Sequence, residues 1–279
     1  MKILVTGHRG YIGSHLYKKL LENNIFTVTG IDLKEGKDIL HDLPEENYDI
    51  IFHMAAFPRV GFSYENPSYT FKNNSYATSV LLEWAKNHGV KRFIFSSSSS
   101  VNGDGAGPIS PYGLQKLISE NECKLYSDIY GLDTVCLRYY NVYSEDQEYG
   151  GSYSTIISSW MHKMKNNEDL LLFGDGEQSR DFIHVEDIVS ANIFCLHYSN
   201  NFNGQFYDVG SGKVYSVNYI KNIILQLMKP NFLNLEKRKG DVMHTKISNQ
   251  NLLNLGWKCE KNFEDEIRKY FSNIIQYKG

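Results

Sequence analysis

Short apolar runs alternate with amphipathic stretches through the first two-thirds of the chain. Residues 2–6, 27–32, 50–53, 92–97 and 134–139 are rich in β-branched and other large apolar residues, and each run predicts a buried strand. The stretches between them predict helices. In the first, Ile12, Leu16 and Leu20 recur at every fourth position and stripe one face. Residues 74–88 and 111–130 carry the longest helical patterns, and for the second Ser110 supplies an N-cap and Pro111 a preset first turn. Strand–helix alternation predicts an α/β fold, a Rossmann-like doubly wound parallel sheet covered by helices on both faces.

After about Tyr143 the alternation loosens. Residues 146–152 read as a loop, 155–166 as a helix, 170–173 as a strand, and Gly174-Asp175-Gly176 as a turn. A helix returns over 186–198 and a strand over 205–209, followed by a strand at 232–236 and helices at 248–255 and 262–275. No repeat, low-complexity stretch or Pro-rich linker interrupts the chain. The 279 residues are therefore expected to form a main domain at 1–143, with later segments near 174–212 returning to it, and a smaller C-terminal α/β region at 144–279.

Composition narrows this picture by exclusion. A hydrophobic fraction of 42% permits a proper core, while 22% charged residues and a net charge of -3 suggest no surface for nucleic acid. The apolar run at the amino terminus is too short for a signal peptide and leads straight into a glycine turn. No apolar stretch of about 18 residues predicts a membrane span. Cys123, Cys136, Cys195 and Cys259 are scattered, with no CxxC pair and no metal-like cluster with histidine. They are read as free thiols in a reducing cytoplasm, with no metal site.

Candidate chemistry begins at the first turn. Thr6-Gly7-His8-Arg9-Gly10-Tyr11-Ile12-Gly13 follows a predicted strand and opens a predicted helix. Its glycines suit a tight turn, close approach of backbone to a pyrophosphate, and close helix–strand packing. The helix that starts at Tyr11 and Ile12 points its free N–H groups at the phosphates. Asp32 ends the next strand 19 residues after Gly13. A carboxylate there accepts from a ribose diol and repels a 2′-phosphate, so the cofactor is read as NAD rather than NADP. Arg9 pulls the other way, because an arginine in this turn can assist a 2′-phosphate. The plainer alternative is an ordinary glycine-rich turn with Asp32 merely exposed, and the spacing disfavours it.

Tyr112-Gly113-Leu114-Gln115-Lys116 places Tyr112 and Lys116 four residues apart, on one helix face. A phenol is a poor base at neutral pH, but an ammonium beside it favours the phenolate. Such a tyrosine can take a proton from a sugar or alcohol hydroxyl as hydride leaves to NAD, and the same lysine can hold the nicotinamide ribose. Alone, this spacing is common enough to be a chance surface pair. Here it follows the glycine turn and a serine-rich strand end, Phe95-Ser96-Ser97-Ser98-Ser99-Ser100-Val101-Asn102. Ligands of doubly wound sheets sit beyond the carboxyl ends of the strands, where hydroxyls can hydrogen-bond a reacting oxygen.

Together these residues resemble the extended short-chain dehydrogenase/reductase family, in particular its nucleotide-sugar epimerase/dehydratase group, and the resemblance runs through nearly the whole chain. His53-Met54-Ala55-Ala56 is similar to the group's H-x-A-A segment, and Asn74 to an asparagine that opens the following helix. Leu137-Arg138-Tyr139-Tyr140-Asn141-Val142-Tyr143 resembles L-R-x-x-N-V-Y. Phe173-Gly174-Asp175-Gly176 with Arg180-Asp181-Phe182-Ile183-His184-Val185 resembles the GDG…RDFIHV block, and Arg238-Lys239-Gly240-Asp241 resembles R-x-G-D. The resemblance implies that Tyr112 is the base, Lys116 its partner and Ser100 the aligned hydroxyl. It implies cofactor contacts from Asp38, Ile39, Ala55, Ala56, Asn74 and Ser98. It also implies that Asn141, Phe173, Arg180 and Arg238 hold a nucleotide-diphosphate sugar, a UDP-sugar being favoured, and that the 144–279 region is mainly substrate-binding. Two separated arginines suit a diphosphate. A homodimer through the two long helices is implied as well.

The group contains epimerases, dehydratases, reductases and decarboxylases. The dehydratases that resemble this chain carry an Asp-Glu pair after the catalytic hydroxyl residue, where this chain has Val101-Asn102. The 3,5-epimerases need further acid/base residues, commonly a cysteine near the serine segment. The minimal Tyr112, Lys116 and Ser100 set points to C4 epimerisation. A 4-keto nucleotide-sugar reductase and a non-catalytic NAD-binding regulator remain open. The eleven-residue loop between Ser100 and Tyr112 is shorter than in most relatives, and Asn102 stands where tyrosine is usual.

Overall fold

The computed structural model describes residues 1–150, 155–236 and 249–276. Among these, six parallel strands build the central sheet in the order β2-β1-β3-β4-β5-β9. They are β1 (Lys2–Thr6), β2 (Thr27–Ile31), β3 (Ile50–His53), β4 (Arg92–Ser98), β5 (Asp133–Tyr139) and β9 (Gln205–Val209). Each coincides with a predicted run to within a residue at either end. Burial on both faces explains why these strands read as near-continuous apolar segments. Ile3 and Val5 pack with Ile12, Leu16 and Leu20 of α1 (Tyr11–Leu21) and Ile188 of α7 (Val185–His197). Leu4, Phe93 and Phe95 face the opposite way, onto Leu81 and Leu82 of α4 (Ala77–Asn87) and Cys123 of α5 (Pro111–Tyr130). The strand order turns back at β1, which pairs with both β2 and β3. A crevice therefore opens above the carboxyl ends of β1 and β3, where doubly wound sheets take ligands.

α5 begins as its capping residues require. Ser110 Oγ accepts from Gly113 N at 3.0 Å, and the helix closes on Gly131 in the left-handed region at φ 70°. The other long helix differs from its prediction. It starts earlier, after α2 (Val60–Glu65), as α3 (Pro67–Phe71), and passes through a π-helical turn (Lys72–Tyr76) before α4. Pro67 fits the first turn of α3. The π turn leaves Asn74 and Ser75 buried, facing α5.

Most of the remaining elements build a second core. They are β6 (Asn141–Tyr143), α6 (Ile156–Lys165), β7 (Leu170–Phe173), β8 (Ser179–His184), β10 (Val214–Ser216), α8 (Val217–Leu227), β11 (Phe232–Leu235) and α10 (Phe263–Gln276), whereas α9 (Gln250–Asn254) packs Leu252 into the main core beside β9. Trp160, Phe182, Ile220, Ile267 and Phe271 fill much of its interior. β8 lies between β6 and β10, while β7 pairs with β11. Asp181 on β8 ties this sheet to the turn after β9. Its side chain, fully buried, accepts from Ser211 N and Ser211 Oγ at 2.8 Å each and from Gly212 N at 3.0 Å. Burial pushes this carboxyl up to about 6, against the pull of those hydrogen bonds. The chain returns to the main sheet at α7, which packs on α1, and then at β9, which pairs with β5.

Candidate active site

The glycine turn is shaped by contacts that exclude side chains. Gly7 has φ 71°, and a Cβ there would lie 2.6 Å from the Ala55 nitrogen. A methyl on Gly13 would overlap the Gly7 carbonyl oxygen, so the start of α1 rests directly on the end of β1. Gly10 N donates to that same oxygen at 2.9 Å. No side chain caps α1 and no acidic residue sits in its first turn. The N–H groups of that turn therefore face the crevice with the positive end of the helix dipole, as a pyrophosphate cradle requires. Asp32 is held by backbone, Oδ2 accepting from Arg9 N and Oδ1 from Lys34 N, each at 2.8 Å.

The crevice is a cleft of about 720 Å³, a size that suits a cofactor. Gly7, Gly10, Tyr11, Ile12, Gly13, Asp32, Asp38, Ile39, Ala55 and Ala56 line it, and Tyr112 and Lys116 line it as well. Ser98, Ser100, Asn74, Asn141, Phe173 and Arg180 do not. Arg238 lies outside the described residues. Sequence reasoning missed Asn73, Ser96 and residues 146–148, which also face the cleft.

Tyr112 and Lys116 occupy the first turns of α5, both buried. Lys116 Nζ donates to the Ser96 carbonyl at 2.7 Å and stands 4.7 Å above the Phe95 ring. Burial pushes its ammonium down to about 8, with Glu120 pulling partly back. Gly113 has a role that the spacing did not reveal. A methyl there would overlap the Ser100 carbonyl oxygen, so α5 packs directly against the serine segment next to Tyr112. Ser98 Oγ accepts from Ser100 N and donates to Ser100 Oγ, each at 3.1 Å. Ser100 Oγ thus receives a hydrogen bond and keeps its own proton to donate.

Asn74 organises the cleft wall without reaching the cleft. Its Oδ1 accepts from Phe57 N at 2.7 Å, and its Nδ2 donates to Phe57 O at 3.3 Å and to Gln115 Oε1 at 2.8 Å. The amide thus ties the loop after β3 to α5. Beneath that loop, Thr78 Oγ1 donates to Asn74 O at 2.5 Å. Its only proton is then used, so it accepts from His53 Nε2 at 2.9 Å, and His53 Nδ1 accepts from Thr6 Oγ1 at 2.7 Å. Burial, aided by the Lys116 charge, pushes this imidazole from 6.5 down to about 3. An unfolded chain takes up the proton below pH 6.5 while the fold refuses it. This contribution to stability is present above pH 6.5 and is lost as pH falls toward 3. From pH 7 to 5 the loss is about 2 kcal/mol. Urea titrations at the two pH values should show it, and His53→Gln should flatten the difference by about that amount.

The residues expected to hold substrate sit on the second core. Asn141 Nδ2 donates to Asp181 O at 3.0 Å, and β6 and β8 bring Asn141 opposite Phe182, two residues from Arg180. Arg180 is half-buried, and Phe173 ends β7. Among the described residues, no cluster of histidine, cysteine, aspartate and glutamate could hold a metal ion, and no helix is long and apolar enough to cross a membrane.

A glycine-turn cleft that ends on a buried Tyr-x-x-x-Lys pair defines a dinucleotide-dependent oxidoreductase-type site. Residues 3–210 match the NAD dependent epimerase/dehydratase family, and the chain belongs to it. A Methanocaldococcus jannaschii protein, provisionally named as a UDP-glucose 4-epimerase, is 32% identical over 298 aligned positions that span 96% of both chains. The UDP-N-acetylglucosamine 4-epimerase of Methanobrevibacter ruminantium, solved with UDP-N-acetylmuramic acid, superposes with a TM-score of 0.87 at 30% identity, covering 99% of this chain and 98% of that one. The UDP-glucuronic acid 4-epimerase of Bacillus cereus, solved with UDP-glucuronic acid and NAD, gives 0.88 at 28% identity, covering 99% and 100%.

Proposed function

We propose that the protein inverts C4 of a nucleotide-diphosphate sugar, using NAD that it retains through the cycle. The observation that carries this reading is the placement of Tyr112 and Lys116, both buried, in the cleft that the glycine turn and Asp32 open. The turn would hold the pyrophosphate, Asp32 the adenosine ribose, and Lys116 the nicotinamide ribose. NAD+ bound there supplies a hydride acceptor. Tyr112, as phenolate, takes the proton from the 4-hydroxyl, and the Lys116 ammonium lowers the cost of that phenolate. Ser100 donates to the same oxygen and holds it as the carbonyl forms and is reduced again. Arg180 and Asn141 orient the sugar nucleotide from the second core, and the family resemblance gives Arg238 the same task. Inversion would require the sugar to turn over in the site, so that C4 presents its opposite face to the cofactor.

Retention is supported by a strap across the cleft. Tyr11 Oη donates to Ser144 Oγ at 2.7 Å, and Ser144 Oγ donates to Asp146 Oδ1 at 2.6 Å. Asp146 Oδ2 meets His15 Nε2 at 3.2 Å. From the other wall, an Arg59 NH2 donates to Gly150 O at 2.9 Å. A strapped cofactor suits an epimerase, which regenerates it, better than a reductase, which must exchange it each turnover. Each lost strap contact should cost about 1 kcal/mol. Tyr11→Phe and Arg59→Met are each expected to speed NAD+ release by roughly fivefold, read as faster decay of activity after dilution and recovery on adding NAD+.

Incubation with UDP-sugars in the absence of added cofactor tests the reaction. Catalytic appearance of the C4 epimer is expected. Turnover only with stoichiometric NADH or NADPH would instead identify a reductase. We also infer a homodimer through α4 and α5, because Tyr76, Leu125, Ile129 and Tyr130 stand exposed on these helices and the turn before them. Light scattering should give twice the chain mass, and a monomer at micromolar concentration would contradict this. The four free cysteines suit a reducing compartment such as the cytoplasm.

A further inference from the structure

We propose that Glu35 sets the cofactor preference together with Asp32, by pairing with the Arg9 guanidinium that would otherwise attract a 2′-phosphate. The proposal rests on the reading of this cleft as a dinucleotide site. Arg9, Lys34 and Lys37 line the cleft beside Asp32, while Glu35 does not line it. Three cations around one ribose are what a 2′-phosphate would seek. Asp32 and Asp38 line the same cleft and oppose that surplus, so the disposition of the cations decides the outcome.

Glu35 commits the arginine. Its Oε1 accepts from Arg9 Nε at 2.6 Å and meets an Arg9 NH2 at 2.5 Å, occupying one of the two edges with which a guanidinium can fork a phosphate. Its other oxygen lies 3.3 Å from His8 Nε2. His8 anchors the arrangement. Its side chain is 3% exposed, and its ring packs on Tyr17 with centroids 4.8 Å apart. The ring also fills the space over Gly30, where a methyl would overlap the imidazole, so β2 backs it with bare backbone. Lys34 is committed too, its Nζ donating to Arg9 O at 2.9 Å. The chain His8–Glu35–Arg9 thus runs from the buried face of β2 to the mouth of the cleft. Glu35 is a positioning residue that acts through Arg9.

The test equilibrates protein with equal NAD+ and NADP+, removes free nucleotide, denatures the protein and measures the released NADP+ to NAD+ ratio. Asp32→Ser should raise the ratio above that of the wild type. Adding Glu35→Ala should raise it roughly tenfold or more again, the scale of one charge-assisted contact. Adding Arg9→Met to that double variant should remove the second gain. Glu35→Gln in the Asp32→Ser background keeps the turn filled and should give a smaller gain of the same sign. No change beyond twofold from either Glu35 substitution overturns the proposal. So does a gain that survives Arg9→Met, because the Glu35 charge would then act directly. Wild-type protein that releases neither nucleotide contradicts the dinucleotide reading itself, whereas NAD+ release with an unmoved ratio contradicts only the role of Glu35.

Discussion

Tyr112→Phe is expected to lower turnover of the sugar nucleotide by roughly 10²- to 10⁴-fold, the range of a lost general base, while NAD stays bound. Phenylalanine keeps the ring, and Tyr112 is 3% exposed, so the packing of α5 on the crevice should survive. Only the atom that takes the proton is removed. Lys116 cannot replace it, because its Nζ donates to the Ser96 carbonyl at 2.7 Å and serves as a charge rather than a base while protonated. With its ammonium pushed down to about 8, that charge persists at neutral pH. The measurement is turnover with released NAD quantified alongside. A variant that keeps both its cofactor and its rate would remove Tyr112 from the chemistry.

Gly13→Ala is expected to abolish cofactor retention. The added methyl would overlap the Gly7 carbonyl oxygen, and backbone on both sides leaves no flexible side chain to yield. Relief requires α1 to move off β1, which opens the cradle that faces the pyrophosphate. Overpacking of this kind costs about 3 kcal/mol, and if it falls on the bound state NAD+ affinity drops by roughly a hundredfold. Gly10→Ala provides the contrast. A Cβ there lies 3.1 Å from the same oxygen, a contact that a small shift relieves. That variant should lose affinity through its approach to the phosphates while keeping its melting temperature, whereas Gly13→Ala should lower both.

The parts legible in the sequence are those set by local spacing. The glycine turn, Asp32 at the end of the second strand, and Tyr112 with Lys116 one helical turn later each lie within a single strand–turn–helix unit or a single helix. The central strands were legible because burial on both faces makes each a dense apolar run. Three-residue strands such as β6 and β10 carry too little pattern to detect. α8 was missed for another reason. Its β-branched residues at 217, 220, 223 and 224 recur with helical spacing, yet their β propensity blurs the assignment. The positions that hold the site in shape depend on distant partners. Tyr11 meets Ser144 across 133 residues, Asn74 meets Gln115 across 41, and Gly113 matters only because Ser100 packs against it. Asn74 shows the limit most clearly. Resemblance assigns it to the cofactor, and its bonds to Phe57 on the cleft wall and to Gln115 on α5 have no signal in local spacing.

The most direct test of a hydride shuttle on retained NAD uses a UDP-sugar carrying deuterium at C4, incubated with the wild-type protein in ordinary water with no added cofactor. The account predicts that the C4 epimer forms catalytically and keeps its deuterium at C4, because a hydride held on NAD would not exchange with solvent protons. Loss of the label to solvent, or product formed only as added NADH or NADPH is consumed, would contradict it.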